Sequence, residues 1–342
     1  MLQRSPTGTW LPAWVPESTG LLSTLLMLCS VVQSATGGYD GSMLNGLNIL
    51  PSYTDYFRLD PATTGLNTSA VFLGGILGPL VTGHLADRHG RRPTIFGGSA
   101  LTLVGVLLQT AAQNVAMFVV ARILLGFGSA VSGIAAGVYL SETLPCRWRA
   151  WGVGLLNDFY YVGALIAAGV TLATGQWPST WAWRAPSLLQ GVFSALCLVL
   201  LPLIPESPRW LAYRGHWAAA RAVVARTERG DAAVVATVYR EIVDTLAWEK
   251  KHGATMRLAE IWRTPTARRR LLIGMSPGPF SCIAGNIIAS YYLASELDTA
   301  GVTDTVAQLK AVCNFFYFFG FVVGGGGEKE GVQDGLTHSL HI

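Results

Sequence analysis

The chain has 342 residues, 51% of them hydrophobic and only 13% charged, with 39 glycines and a mean hydropathy of +0.41. A soluble domain carries roughly a quarter charged residues, so the deficit points to a lipid-solvated protein and excludes disordered, collagenous and nucleic-acid-binding chains. The net charge of +4 is too small to suggest an anionic polymer partner. Cys29, Cys146, Cys197, Cys282 and Cys313 are scattered through apolar stretches without metal or disulfide spacing, and read as small hydrophobes.

A bilayer core about 30 Å thick requires about 20 apolar residues in a helix. Eight such runs lie near residues 21–44, 66–86, 94–113, 115–140, 151–174, 185–204, 271–295 and 308–325. The first is too long and too late for a signal peptide, so it is read as a retained span. Lys and Arg accumulate on cytoplasmic loops, and residues 205–270 hold 13 of the 24 basic residues against 7 of the 20 acidic ones. This loop and the basic turns Arg88–Arg92 and Arg147–Arg149 all follow even-numbered spans, which predicts a cytoplasmic N-terminus over residues 1–20. Residues 217–228 and 236–250 carry Ala, Val, Arg and Glu at helical spacing, as short amphipathic helices under a membrane bundle do. The fold class expected is therefore an all-α polytopic membrane protein. A six-helix bundle occupies residues 21–204, a cytoplasmic helical loop 205–270, a partial second bundle of two helices 271–325, and a polar tail 326–342. Many transporters are built from such repeated halves.

Charges inside spans are costly and mark function. Asp40 falls late in the first span and Arg122 early in the fourth, which runs the other way, so both lie at similar depth. Protonating Asp40 beside a buried guanidinium changes the local charge by one unit, as proton coupling requires; a static structural ion pair is the alternative. Glu142 ends the fourth span near the arginines of the 88–92 and 147–149 turns, where an interfacial, solvated carboxylate is the other reading. Asp158, beside Asn157, either lines a cavity or sits near the inner interface. Gly74-xxx-Gly78 and Ser129-xxx-Gly133-xxx-Gly137 place small residues on one helix face, which suits close helix contacts. A nucleotide-loop reading of Gly126-Phe-Gly128 fails because no strand precedes it. Asn286, followed by Ser290-Tyr291-Tyr292, offers an amide and phenols either to a polyhydroxylated solute or to a neighbouring helix. Asn67-Thr68-Ser69 is a formal glycosylation sequon too close to the membrane for modification.

Several motifs resemble one family. Gly83-His-Leu-Ala-Asp87-Arg88-His-Gly90-Arg91-Arg92 resembles the signature between helices two and three of the major facilitator superfamily. Arg122-Ile-Leu-Leu-Gly126-Phe-Gly128 with Tyr139-Leu-Ser-Glu142, and Pro205-Glu206-Ser207-Pro208-Arg209-Trp210, resemble motifs of its sugar-porter branch. The run Gly38-Tyr39-Asp40-Gly41-Ser42-Met43-Leu44-Asn45-Gly46-Leu47 is similar to fungal lactose and hexose permeases. The resemblance covers about residues 20 to 323. It implies a sugar transporter working by proton symport and alternating access, with sugar and proton as its small-molecule partners in a plasma-membrane bilayer. It implies proton coupling by Asp40 and Arg122, and substrate binding by Asn157 and Asn286, to which the phenols Tyr291 and Tyr292 add. It further implies a cytoplasmic gate network of Asp87, Arg88, Arg91, Arg92, Glu142, Arg149, Glu206 and Arg209, whose pairs at a wet interface break at modest cost.

The departures are as informative. Cys282 stands where the family carries a Gln upstream of the helix-seven Gly-Asn pair, and a thiol cannot replace a bidentate amide. Asp158 occupies a position expected to be neutral. The family fold has twelve helices, whereas after the eighth span this chain reads Gly324-Gly-Gly-Gly-Glu328-Lys329-Glu330-Gly331 and continues without a further apolar run. Translated intronic sequence, a frame change and a genuine C-terminally short form all fit that tail. On this reading transport by the polypeptide alone is weak or absent, and a non-transporting sensor or dominant-negative relative of a full-length porter is the competing class. No cofactor or metal is expected, and without His or Cys metal spacing, clustered carboxylates or a nucleophile with a base, neither is an enzyme.

Overall fold

In the computed structural model, residues 2–5, 8–228, 231–252, 262–276, 279, 280, 283 and 292–317 are described. A hairpin of β1 (Leu2–Ser5) and β2 (Ala13–Pro16) precedes the helices. The first bundle follows: α1 (Thr19–Ile49), short α2 (Pro51–Phe57), α3 (Pro61–His89), α4 (Arg91–Thr110), α5 (Val115–Thr143) and α6 (Cys146–Thr174). A last crossing is broken into α7 (Trp181–Leu189), α8 (Gly191–Leu200) and a 3-10 turn, Leu201–Leu203. Among the described residues, six helical stretches are long and apolar enough to span a bilayer, and they match the first six expected spans. The helices run longer than hydropathy alone indicates because capping extends them. Asp60 accepts from the Thr63 backbone N–H, Thr63 caps in return, and Pro61 starts α3 five residues before the apolar run.

Close helix approach fixes the packing. A Cβ on Gly38 of α1 would lie 1.8 Å from the Tyr160 carbonyl oxygen, and one on Gly163 of α6 would lie 2.2 Å from that of Ala35. The backbones of α1 and α6 therefore touch at one crossing, as the small-residue rule for membrane helices predicts. Gly74 and Gly78 of α3 make a helix contact as expected, against α5, where Gly126 answers them, while Gly128 of α5 packs against Gly98 and Thr102 of α4. A Cβ at Gly133 would meet nothing, so the small-residue face expected at Ser129, Gly133 and Gly137 is not the helix contact.

Pro186 lies within α7 and cannot donate to the Ala182 carbonyl, which accepts from the Thr174 hydroxyl at 3.0 Å instead. The Pro186 carbonyl accepts from the Tyr39 hydroxyl at 3.0 Å. The crossing thus loses one helical hydrogen bond at Pro186, while Gln190, which joins α7 to α8, keeps helical dihedrals and donates its backbone N–H to the Pro186 carbonyl at 3.3 Å.

Of residues 1–20, expected as a cytoplasmic N-terminus, the described stretch 10–15 packs into the end of the bundle. Leu11, Ala13 and Val15 are buried in one core cluster with α1, α5 and the 3-10 turn, and Trp10 packs edge-on against Phe96 at 5.6 Å. Beyond the turn, α9 (Pro208–Tyr213), α10 (Trp217–Thr227) and α11 (Ala232–His252) form a small separate core around Trp210, Leu211 and Val223, as the amphipathic pattern anticipated. Then come α12 (Pro265–Met275), α13 (Leu293–Thr299) and α14 (residues 305–317). The seventh expected span falls partly on residues outside the described set, as does the end of the eighth and the whole 326–342 tail. Leu309, Val312 and Phe316 of α14 are buried with Leu47, Leu50 and Trp183 at the end of the bundle opposite the motif turns. Asn67 of the sequon is buried and donates to the Tyr53 hydroxyl at 3.2 Å.

Candidate transport site and motif-end network

Asp40 and Arg122 form an ion pair in the middle of the bundle, between α1 and α5. Arg122 is fully buried and Asp40 is 14% exposed. Gln190, at the α7–α8 junction, donates its amide N–H to the same Asp40 oxygen, Oδ1, at 2.8 Å. A cavity of about 500 Å³ opens beside them, lined by Gln33, Ser34, Asp40, Ser129, Tyr160 and Gln190 among others. Arg122 is sparsely satisfied: its Nε and Nη2 have no hydrogen-bond partner among the described residues. Taking an ion from water is expensive, and one contact with a carboxylate compensates it only in part. Such a pair is sensitive to the charge state of Asp40.

Gln190 was not singled out in the sequence, although it is the lone amide in the sixth apolar run and follows Pro186 by four residues. The rule that flagged Asp40, a polar group inside a span, applies to it equally. Asn157 is on α6, between the cavity-lining Leu156 and Tyr160 in sequence, but its side chain is outside the description. Asn286, Tyr291 and Cys282 also lie outside the described residues. Tyr292 is exposed and stands near Gly65, at the start of α3, away from Asp40. Asp158 is exposed and does not line the cavity.

The second constellation closes one end of the bundle. Arg91 grips Glu142 with two parallel bonds, Nε to Oε2 at 3.0 Å and Nη2 to Oε1 at 3.1 Å, and adds Asp87 at 3.2 Å through Nη1. The Ser207 hydroxyl donates to Glu142 Oε2 at 2.5 Å. Glu206 is buried, and its Oε1 accepts from the backbone N–H groups of Ser207, Arg91 and Arg92 at 2.9, 3.1 and 3.3 Å. Burial pushes the Glu206 carboxyl up to about 6, against the pull of the Arg92 guanidinium and those three donors. Bidentate, charge-assisted bonds of this kind are the strong ones.

Four members expected here behave differently. Arg92 contributes its backbone N–H to Glu206, but its fully buried guanidinium is held by carbonyls: Leu201 at 3.0 and 2.6 Å, and Pro12 of the N-terminal segment at 3.0 Å. Arg209 pairs with Glu249 of α11. Arg88 and Arg149 are exposed and make no ion pair among the described residues, because both project from helix ends into open surroundings. Unanticipated partners complete the end: the Tyr139 hydroxyl donates to the Pro205 carbonyl at 2.6 Å, and Trp210 Nε1 to that of Asp87 at 2.9 Å.

A bundle of membrane-spanning helices with a buried acid–base pair beside a central cavity, and a charge-clamped turn at one end, defines a multi-pass membrane protein of transporter type. The family model "Sugar (and other) transporter" matches residues 26–325, and the chain belongs to that family of the major facilitator superfamily. It is 28% identical over 283 residues to the MFS-type transporter criB of Aspergillus cristatus, covering 81% of this chain and 61% of that protein. It is also 28% identical over 325 residues to the proton myo-inositol cotransporter hmit-1.1 of Caenorhabditis elegans, covering 91% of this chain and 53% of the relative. Among solved structures, the partially occluded inward-open xylose transporter XylE from E. coli superposes with a TM-score of 0.67 at 18% identity, covering 87% of this chain and 71% of that one. The chain spans about 60% of the length of the curated relatives it matches first. These relatives are transporters rather than enzymes.

Proposed function

We propose that the chain serves proton-coupled sugar transport by alternating access, with Asp40 as proton acceptor and Arg122 as its counter-charge. The observation that carries this reading is the buried, sparsely satisfied Asp40–Arg122 pair in the wall of the central cavity. A proton on Asp40 removes the only carboxylate that faces Arg122 among the described residues and changes the charge of the site by one unit, which gives the two states different preferred arrangements of α1 and α5. The printed descriptions of related proteins support the substrate class: one is a proton myo-inositol cotransporter and another an arabinose-proton symporter. Asn157, Asn286, Tyr291 and Tyr292 are proposed to contact the sugar. The Arg91–Glu142 end is proposed to face the cytoplasm with the N-terminus, since the basic residues concentrate there, and the plasma membrane is the proposed location. There the network holds the inner gate when it is shut.

The test is uptake of labelled xylose, arabinose and myo-inositol in proteoliposomes with an imposed proton gradient, by the 342-residue chain, for which weak or absent transport is expected, and by a version extended with the remaining helices of a full-length relative. In the extended version, gradient-driven accumulation that Asp40→Asn abolishes, while solute exchange persists, is the expected result. Accumulation there that survives Asp40→Asn removes Asp40 from the mechanism. An extended version that binds these solutes without moving them overturns the transport reading in favour of a non-transporting sensor.

A further inference from the structure

The proton reading leaves one observation without a role, namely Gln190. Its amide nitrogen lies 2.8 Å from Asp40 Oδ1, its Oε1 is buried with no partner among the described residues, and the residue itself is fully buried at the junction of α7 and α8. A buried amide normally satisfies both ends. The half-satisfied state leaves an acceptor waiting beside a carboxylate that has none to fill it.

We propose that Gln190 is a positioning residue that reads the protonation state of Asp40, donating to the carboxylate and, once the amide turns over, accepting from the carboxylic acid. The proposal rests on Asp40 being the proton acceptor. The chemistry follows from the donor and acceptor inventory. An ionised carboxylate only accepts, so the amide must present nitrogen to it; a protonated one carries an O–H donor, and nitrogen is then the wrong end. Both existing donors, Arg122 Nη1 and Gln190 Nε2, meet Oδ1, and no hydrogen bond reaches Oδ2 among the described residues. A proton arriving from the water-accessible cavity adds to Oδ2 without displacing either donor, and no other bond forms or breaks. Turning the Asp40 carboxyl and the Gln190 amide then joins Oδ2–H to Oε1 and leaves Oδ1 to Arg122. Gln190 thereby satisfies the neutral acid as well as the anion. This lowers the penalty of holding either form in an apolar interior.

The surroundings leave few competing groups. Arg122 on α5 is the charge facing Asp40, and Tyr160 on α6 lies close enough to feel that charge. Tyr39, next along α1, is committed to the Pro186 carbonyl. From α3 and α4 the cavity receives Phe72 and Thr102, which do not titrate. Gln190 stands at the junction of α7 and α8, four residues after Pro186, close to Asp40.

Infrared difference spectroscopy of the reconstituted full chain between neutral and acidic pH tests this. In the native chain, acidification should raise a carboxylic C=O band, identified by its loss in Asp40→Asn, together with a shift of a carboxamide C=O band. In Gln190→Met the carboxamide shift should be lost and the Asp40 acid band should move to higher wavenumber, because the acid loses its acceptor. A merely structural role for Gln190 would change the melting temperature but not these bands. Gln190→Glu is the second variant: it keeps size and polarity, shares a proton with Asp40, and should turn one titration step into two. An Asp40 band whose carboxamide shift persists in Gln190→Met, or a single step in Gln190→Glu, overturns the role of Gln190 alone. Absence of any acid band sensitive to Asp40→Asn overturns the proton reading, and the proposal with it.

Discussion

The two charged regions of the bundle are built on opposite principles. At the motif end the buried acids each gather several donors: Glu142 takes three hydrogen bonds from Arg91 and Ser207, and Glu206 takes three from backbone N–H groups on Oε1, leaving Oε2 without a partner among the described residues. In the bundle middle Arg122 has one carboxylate and two idle nitrogens, and Asp40 has two donors on one oxygen. The first arrangement holds a geometry, since several bonds must break together before it opens. The second holds a charge state, since a single proton alters it. Proton coupling as proposed above needs both, a pair that one proton can alter and an end that resists, and the two lie at different levels of the bundle.

Removing one partner of the middle pair is the most severe way to break this comparison. Arg122→Leu leaves a carboxylate with its counter-charge gone, and unfolding in detergent at neutral pH should show a loss of about 3–5 kcal/mol. Arg122→Leu combined with Asp40→Asn should recover most of that loss, because a neutral amide in the same place has no charge to compensate. If the double variant is as unstable as the single one, the site is a packing element rather than a charge element. Glu142→Ala comes next. It frees Arg91 from its bidentate partner and leaves Ser207 unpaired, for a loss of about 2–3 kcal/mol, less than at the middle because Arg91 keeps Asp87 and partial access to water. A loss equal to that of Arg122→Leu would erase the distinction between the two regions.

Glu206 sharpens the comparison through pH. Burial raises its carboxyl from the model-compound value of 4.5 to about 6, so the folded protein binds this proton more tightly than the unfolded chain. Stability contributed here is therefore full below about 4.5, falls as pH rises through about 6, and is flat above, for a total of about 2 kcal/mol. Glu206→Gln keeps an oxygen for the three backbone donors and has nothing to titrate. Melting curves of the native chain and this variant, taken from pH 4.5 to 7.5 as order-of-magnitude bounds around that window, should converge at the acid end and separate toward neutrality, with Glu206→Gln the more stable. Curves that run parallel would mean that Arg92 and the backbone donors fully offset the burial.

What the sequence disclosed and what it hid have physical causes. Spans are legible because lipid demands long apolar runs, and Asp40 and Arg122 stand out because charges in such runs are rare. Gln190 was missed because an amide barely perturbs hydropathy; its importance comes from facing Asp40 across the bundle, which only the packing reveals. The small-residue stripe on α5 was misplaced along the helix axis: Gly126 and Gly133 lie on nearly the same face about two turns apart, and only the packing shows at which level α3 comes close. The N-terminal segment was unreadable for a related reason. Alternation over Ala13, Trp14, Val15 and Pro16 is too short to declare a strand, and the Pro12 carbonyl that holds Arg92 is a main-chain atom that no motif records.

Arg88 and Arg149 are where motif and geometry part company, and they set the smallest expected effect. Both fall in basic motif turns, yet both are exposed and unpaired among the described residues, while Arg91, three residues from Arg88, carries the bidentate bond. Arg149 borders a cavity of about 360 Å³ between the end of α5 and α10–α11, where Glu228 and Glu241 also line the wall without pairing with it. Long exposed side chains with no fixed partner gain little Coulomb energy and lose it to salt. Arg88→Ala and Arg149→Ala should each change unfolding stability by no more than about 0.5 kcal/mol. If either approaches the loss from Glu142→Ala, then its partner belongs to a different arrangement of the bundle from this one. The lock at the motif end would then be shared between two states, and its many bonds would be a set that is exchanged as the bundle moves rather than a set that simply breaks.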